Sequence, residues 1–252
     1  ELDNLPVVPE ASDGLAPKAV QLVKFARLLP SVVLSRIPYA EMSRLSGWNK
    51  ADSLLAVDAR LIDALPEMRA QRLVKAVSAQ VPLIDSEKTS LIAFRPIDGG
   101  EEHVAIVIGE LDTDQAVLVR LHSQCLTGDL LGSLRCDCGD QLRGAIKAIS
   151  EHGGGVLIYL AQEGRDIGLV NKLRAYNVQD LGSDTVEANH QIGFEVDERI
   201  YAPAAEILKQ LGIQKVKLLT NNPNKIDQLA ATGIDVIELS LIHISEPTRR
   251  VF

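Results

Sequence analysis

The chain has 252 residues, with 26 lysines and arginines against 34 aspartates and glutamates, which gives a formal net charge of -8. This acidic balance argues against binding to nucleic acid or to an anionic membrane, because both need an excess of positive charge. A small anionic ligand is still allowed, since a few arginines in one pocket can outweigh the overall charge. No apolar run approaches the roughly 20 residues that span a bilayer, and no basic leader precedes a short apolar core, so we expect a cytoplasmic protein.

The first third of the chain contains no motif that carries chemistry. Apolar residues at helical spacing predict helices over residues 16–29, 39–45 and 67–79. Residues 31–37 are a short apolar run and predict a buried strand. We therefore interpret residues 1–85 as a non-catalytic accessory segment whose default role is packing.

The pattern changes near residue 86, where strand-like runs separated by turn residues begin. The predicted strands are 90–94, 103–108, 116–121, 156–160, 215–219 and 234–239, with helices after Cys138, over 199–211 and from about Lys225. The first three predict an antiparallel meander, and the later alternation of helix and strand is typical of an α/β sheet. The sequence thus predicts an α/β (α+β) fold: a mixed sheet with flanking helices over residues 86–239, a smaller N-terminal α/β segment, and an irregular tail over residues 240–252.

All three cysteines lie in one short window, at Cys125, Cys136 and Cys138. Cysteines two apart on an extended segment point to the same side, and a loop containing Gly128 and Gly132 allows Cys125 to return to them. A disulfide is disfavoured, because an odd count without a secretory signal is typical of a reduced, cytosolic protein. The cluster predicts a three-thiolate metal site, with zinc as the metal.

The fourth position of this zinc site decides its role. A structural site would close it with a protein ligand, for which His122 is the nearest candidate. A catalytic site would leave the position to a water, whose pKa falls to about 7 on zinc.

The run HSQCLTGDLLGSLRCDCGDQL resembles the zinc motif of GTP cyclohydrolase II, which opens the imidazole ring of GTP at the start of riboflavin synthesis. The resemblance covers residues 88–239 and includes a second signature from Asp184 to Arg199. It implies one zinc ion per chain, Mg2+ with the triphosphate, GTP as substrate and a homodimer. The accessory segment then corresponds to a degenerate dihydroxybutanone phosphate synthase domain. One position departs from the family pattern, because Gln124 stands where Glu is common.

The resemblance also assigns the site residues. It implies Cys125, Cys136 and Cys138 as zinc ligands, Asp197 as general base, Arg199 as the nucleophile that attacks the α-phosphate, and Tyr176 close to the purine ring. An arginine nucleophile is chemically unexpected, because guanidinium is almost always protonated, and the residues alone assign Arg199 to phosphate stabilisation or to an ion pair with Asp197. The positions that match substrate contacts of the family are Arg120, Leu121, His122, Ser123, Gln124, Gln141, Glu163, Gly164, Arg165, Thr185, Thr220 and Lys225.

Two other hypotheses stay open. A paralogue that binds a guanine nucleotide with partial or no turnover is suggested by Gln124. A structural-zinc interaction module predicts that zinc removal unfolds the protein while GTP changes nothing. Taken singly, Arg120, Arg165 and Lys225 are each more typical of solvated surface charges, and His103 is more typical of a core or surface histidine than of a ligand.

Overall fold

The structure is a computed structural model that describes residues 10–11, 13–38, 41, 56–220 and 222–240. Within these ranges the helices are α1 Leu15–Phe25, α2 Ala59–Gln71, α3 Cys138–Glu151, α4 Leu169–Asp180, α5 Thr185–Gln191, α6 Ala202–Gln210 and α7 Pro223–Ala231. The strands are β1 Leu73–Gln80, β2 Thr89–Pro96, β3 His103–Gly109, β4 Val117–Ser123, β5 Gly154–Leu160, β6 Lys215–Leu219 and β7 Asp235–Ser240. Except for residues 41 and 240, the predicted helix over 39–45 and the predicted tail lie outside the described residues.

The strands form one mixed seven-stranded sheet in the order β1-β2-β3-β5-β4-β6-β7. The pairs from β1 through β2 and β3 to β5 are antiparallel, and the pairs from β5 through β4 and β6 to β7 are parallel. The predicted α/β class with a mixed sheet and flanking helices is therefore confirmed. The meander covers β2 and β3 but not β4, because β5 lies between β3 and β4.

Helices cover both faces of the central strands. Ile146 and Ile149 of α3 pack on one face, and Ile207 and Leu208 of α6 pack on the other. Six of the seven residues of β4 are buried, which is typical of a parallel strand covered on both faces. The apolar runs at residues 117–119 of β4 and 156–160 of β5 follow from this double burial.

The order of the parallel strands creates a crevice at the end of β4. From β4 the chain crosses over through α3 to β5 on one side, and it later returns to β6 on the other side of β4. In open α/β sheets, ligands bind at such a reversal, outside the carboxyl ends of the strands. The residues that follow β4, including Gln124 and Cys125, lie at this point.

Two predictions for the first third of the chain are wrong. The helix predicted over residues 67–79 ends at Gln71, and Leu73–Gln80 forms the edge strand β1 instead. This strand pairs with β2, although it lies before the predicted domain boundary at residue 85. Only the first residue of β1 is buried, so pairing with β2 rather than local periodicity determines its conformation. Residues 31–37 form no strand; Val33 is fully exposed, and no strand among the described residues pairs with this segment. Within the described part of the chain, every helix is too short or too polar to cross a bilayer.

Candidate active site

The three cysteines form a compact cup beside the end of β4. Cys125 follows β4, a π-helical turn over Leu126–Leu130 reverses the chain, and Cys138 is the first residue of α3. All three Sγ atoms lie within 4.8 Å of one another, and those of Cys125 and Cys136 are 3.6 Å apart. Sulfur atoms bound to one tetrahedral zinc at 2.3 Å would be about 3.8 Å apart, so the donor set fits the metal.

Gly128 lies against the cup. A Cβ atom built on this residue would be 2.7 Å from Sγ of Cys136, 2.8 Å from Cβ of Cys138 and 3.1 Å from Sγ of Cys125. The Gly128 N–H also donates to Sγ of Cys125 over 3.3 Å. The close approach of this backbone to all three cysteines requires a residue without a side chain.

A buried lysine, which the sequence analysis missed, closes one side of the cup. The Nζ atom of Lys172 lies 3.1 Å from Sγ of Cys125, 2.9 Å from Oγ1 of Thr127 and 2.8 Å from Oε1 of Glu163. Burial by itself lowers the pKa of Lys172, but the hydrogen bonds to Glu163 and Cys125 outweigh it and raise the pKa above its ordinary value. The ammonium group therefore stays charged next to the cysteine sulfur. A lysine inside a helix carries no local signal of such a contact.

The thiol groups perturb one another. The pKa of Cys125 is lowered by hydrogen bonds from Cys136 and Cys138, with a smaller contribution from Lys172, whereas hydrogen bonds with the other two cysteines raise the pKa of Cys138. The nearby Lys172 ammonium group favours the thiolate form of Cys125. A divalent cation would make all three available as thiolates.

His122 does not close the metal site. Its Nε2 atom lies 3.0 Å from Oδ1 of Asp129, and its ring stacks on Tyr159 with centroids 5.6 Å apart. The same carboxylate accepts hydrogen bonds from the Cys125 backbone N–H over 2.9 Å and from the Tyr159 hydroxyl over 2.8 Å. In the described ranges, the only group with metal-binding geometry is the cysteine trio. His122 therefore supports the loop that carries Cys125 and does not supply a fourth ligand to the cup.

A cavity of about 470 Å³ opens from the cup. Two of the predicted site residues, Glu163 and Asp197, do not line this cavity. The Oε2 atom of Glu163 instead accepts the Leu126 backbone N–H over 2.6 Å, and Asp197 lines a neighbouring cavity. The cavity brings together the remaining predicted residues, namely Arg120, Leu121, His122, Ser123, Gln124, Gln141, Gly164, Arg165, Tyr176, Thr185, Arg199, Thr220 and Lys225, with the three cysteines.

One wall of the cavity is cationic and buried. Arg120 donates to the Leu219 carbonyl over 2.8 Å and to Oε1 of Gln141 over 2.7 Å, while its Nε has no partner. Lys225 donates to the Leu121 carbonyl over 2.9 Å. Burial, followed by repulsion from Arg120 and Arg199, lowers the pKa of Lys225 to about 7. An anion in the cavity would oppose this repulsion, so the wall is suited to phosphate.

The predicted catalytic pair forms a fork at the edge of the same cavity. Arg199 donates through Nε to Oδ1 of Asp197 over 2.7 Å and through Nη2 to Oδ2, and its backbone N–H also donates to Oδ1. Burial raises the pKa of Asp197, but these bonds outweigh it and hold the pKa below its ordinary value. Burial likewise lowers the pKa of Arg199, and the pair with Asp197 reverses the effect. The guanidinium group therefore carries its proton in this arrangement.

Tyr176 lies on α4, where Arg135 is 4.7 Å above its ring centroid and Lys172 is 5.8 Å away. Arg135 also pairs with Asp180 of the same helix. Arg135 also lines the cavity, although no sequence motif indicated it. Thr185, at the start of α5, accepts from Nε2 of Gln179 over 3.2 Å.

Comparison with known proteins places this geometry in context. The family model described as GTP cyclohydrolase II matches residues 74–240. A GTP cyclohydrolase-2 of Azospirillum brasilense is 55% identical over 221 residues, which are 87% of this chain and 57% of that protein. The riboflavin biosynthesis protein RibBA of Chlorobium phaeovibrioides is 43% identical over 230 residues, 89% of this chain and 56% of that protein. A GTP cyclohydrolase-2 of Yersinia pestis is 54% identical over 148 residues, 59% of this chain and 76% of that protein.

The chain spans less than two thirds of the length of the first two relatives. The matched residues include the cysteine cup, the cationic wall and the pair of Asp197 and Arg199. The chain belongs to the GTP cyclohydrolase II family.

Proposed function

We propose that the protein hydrolyses GTP in riboflavin synthesis, and that it releases formate and pyrophosphate and leaves a 2,5-diaminopyrimidine ribosyl phosphate. The observation that carries this proposal is the three-thiolate cup, which lies in the same cavity as a buried cationic wall. A metal site beside a phosphate-binding wall fits a nucleotide whose base reacts at the metal and whose phosphates are held by cations. Three waters balance the reaction: two at C8 break its bonds to N9 and N7, and one cleaves the α–β phosphoanhydride.

The cysteines Cys125, Cys136 and Cys138 would hold one zinc ion. When bound, zinc supplies Lewis-acid activation of water for attack on C8 of the purine. The chain's own residues prepare the site for this step. Lys172 balances negative charge at the cup, and Gly128 leaves room for the sulfur atoms.

The triphosphate would lie along the cationic wall. The buried Arg120 and Lys225 provide positive charge there, the exposed Arg165 adds a third cation at the cavity, and Mg2+ would accompany the phosphate oxygens. Arg120 and Ser123 both line the cavity, and each has a buried polar atom without a partner, the Nε atom of Arg120 and the hydroxyl group of Ser123. Buried polar groups without partners cost free energy, so a rearrangement on binding that pairs them would add to affinity.

For the attack on the α-phosphate we propose Arg199 as nucleophile and Asp197 as general base. The fork holds the guanidinium proton, so one proton must leave Arg199 before its nitrogen can attack. Asp197 is the acceptor already in contact with it. Attack forms a bond from nitrogen to phosphorus and expels pyrophosphate, and a water then cleaves that bond.

The test is incubation with GTP and Mg2+, with and without a zinc chelator, followed by measurement of formate, pyrophosphate and zinc content. We expect one zinc per chain, formate release that stops on chelation, and recovery on added zinc but not on added Mg2+ alone. Stoichiometric zinc and bound GTP without formate would instead support the second candidate, a nucleotide-binding paralogue, which Gln124 favours through its missing carboxylate. Unfolding on zinc removal without any response to GTP would support a structural-zinc module.

We also propose a cytoplasmic homodimer. The family resemblance supports the homodimer, and a cluster of three free cysteines, which is typical of a reduced protein, supports the cytoplasmic location. Light scattering of the purified protein gives the mass in solution, and a monomeric mass at working concentration would contradict the proposal.

A further inference from the structure

Helix α1 and the turn after it contact two loops of the candidate active site, although they precede the residues matched by the family model. We call residues 162–168 the first loop, which carries Glu163, Gly164 and Arg165. We call residues 193–200 the second loop, which carries Asp197 and Arg199.

Arg27 holds the first loop. Its guanidinium group pairs with Oδ1 of Asp166 over 2.8 Å and donates to the Asp166 carbonyl over 3.2 Å and to the Ala161 carbonyl over 3.4 Å. The guanidinium group also pairs with Oε2 of Glu101 over 2.8 Å. A Cβ atom built on Gly168 would lie only 3.3 Å from Arg27, so the loop backbone packs directly on this side chain.

The first loop needs such support because its backbone is strained. Arg165 and Asp166 have φ angles of 61° and 76°, in the left-handed region that residues with a side chain rarely occupy. Positions of this kind persist only when the surroundings determine them, and they concentrate at functional sites. The contacts of Arg27 to the carboxylate and carbonyl of Asp166 provide that determination.

Lys24 holds the second loop. Its Nζ pairs with Oε1 of Glu198 over 2.7 Å and lies 5.1 Å from the ring centroid of Phe194. The same oxygen of Glu198 accepts the Glu195 backbone N–H over 2.9 Å, which closes the loop on itself. Glu198 stands between Asp197 and Arg199 in the chain, so its position bears directly on theirs.

The two loops are also joined to each other. The Glu198 backbone N–H donates to the Arg165 carbonyl over 3.2 Å, and Nη1 of Arg165 donates to the Val196 carbonyl over 3.0 Å. A second cavity, of about 510 Å³, lies between α1 and these loops; Lys24 and Arg27 line it together with Asp197 and Arg199. Arg199 thus borders the nucleotide cavity on one side and the cavity at α1 on the other.

We infer that Lys24 and Arg27 are positioning residues, which hold the two loops so that Arg165, Asp197 and Arg199 stay aligned on the nucleotide. The accessory segment then raises the rate of turnover, beyond the packing role expected from its sequence. This inference rests on the proposed function for the reaction affected, but the bracing itself is independent of any substrate. Misplacement of a positioned group by about 1 Å costs roughly 10²-fold in rate, so loss of either contact is large enough to measure.

The experiment compares Lys24→Ala and Arg27→Ala with Lys18→Ala as the matched control. Lys18 also lies on α1, but it pairs with Asp63 of α2 and touches neither loop. We expect faster backbone hydrogen exchange in both loops for the first two variants, and a fall in kcat of about tenfold to 10²-fold with a smaller change in KM. Lys18→Ala keeps wild-type exchange in the loops and wild-type kcat.

The charge-swapped pair Lys24→Glu with Glu198→Lys separates positioning from general stability. Each single change should lower kcat, and the double variant should recover the part of the loss that comes from the ion pair, because the swap restores that pair. The part that comes from the Glu195 backbone N–H should remain lost, because a lysine at position 198 has no acceptor for it. The inference is overturned if Lys24→Ala and Arg27→Ala match Lys18→Ala in both loop exchange and kcat. It is also overturned if activity falls only in step with melting temperature and the swap recovers nothing. If the wild-type protein releases no formate, the proposed function fails, while hydrogen exchange still decides whether α1 braces the loops.

Discussion

The steric fit of Gly128 against the cysteine cup permits a sharp test of the metal site. In Gly128→Ala, the new Cβ would be 2.7 Å from Sγ of Cys136 and 2.8 Å from Cβ of Cys138. Comfortable contacts between such atoms are about 3.5–4.0 Å, so these neighbours must move by roughly 0.8 Å or more. Metal ligands tolerate only about 0.2 Å of departure from ideal distances, so the displacement is several times larger than the site can accommodate.

The free-energy cost follows from comparable changes in packed interiors. An extra methyl group in a filled space costs about 1–3 kcal/mol. If this cost falls on the metal-bound state, the affinity for zinc falls by about 5- to 150-fold, since about 1.4 kcal/mol is a factor of ten. Competition with a chromophoric chelator measures the affinity, and chemical denaturation of the metal-free protein measures any part of the cost that falls on the fold.

Gly144→Ala is the matched control. Gly144 lies inside α3, the helix that begins at Cys138, and a Cβ atom there meets nothing within 4 Å. We expect unchanged zinc affinity and a gain in stability of about 0.5–1 kcal/mol, because alanine loses less entropy in a helix. Wild-type zinc affinity in Gly128→Ala, with no loss of folding stability, would refute the assignment of the cup as a close-fitting metal site.

Three further predictions concern the cavity wall and Tyr201, whose ring lies close to Arg199 and Lys225. Burial, with repulsion from Arg120 and Arg199, lowers the pKa of Lys225 to about 7 from an ordinary value of 10.5, so between these pH values only the unfolded lysine is protonated. The free energy of unfolding should therefore rise with pH across this window, and Lys225→Met should flatten the rise in denaturation curves; an identical slope in the variant would contradict this reasoning. Tyr201 is fully buried with an unpaired hydroxyl group, so Tyr201→Phe should keep or raise the free energy of unfolding by about 1 kcal/mol, and a clear loss would mean that the hydroxyl has a partner. Gln124→Glu introduces the carboxylate that the resemblance implies at this position and should raise kcat for formate release with little change in KM; an unchanged or lower kcat would contradict the proposal that the amide at position 124 slows the reaction.

Much of the catalytic region could be predicted from the sequence, because the signals there are local. The spacing of Cys125, Cys136 and Cys138 limits the possible geometries, and the apolar runs of β4 and β5 are long enough to identify buried strands. The predicted helix after Cys138 is confirmed; it begins at Cys138 itself, with Asp137 as the N-cap residue. His103 is confirmed as a core histidine, with its Nδ1 accepting the Ala161 backbone N–H over 3.0 Å.

The errors lie where nonlocal contacts override local pattern. Residues 73–80 have apolar positions compatible with a helix, but antiparallel pairing with β2 makes them a strand. Residues 31–37 have the composition of a strand and remain irregular, because no partner strand is present among the described residues. Hydrogen bonds between strands come from distant parts of the chain, so no window of sequence contains them.

The cysteine cluster and the α/β class could be predicted from residue types and short spacings, and the resemblance to the family indicated most of the residues that line the cavity. Three contacts could be read only from the folded chain: those of His122 with Asp129, of Lys172 with Cys125, and of Arg27 with Asp166. These contacts join residues that are far apart in the chain or on different elements. Their existence depends on the order of the strands and on the direction in which each helix returns, and neither is encoded in the local pattern of residues.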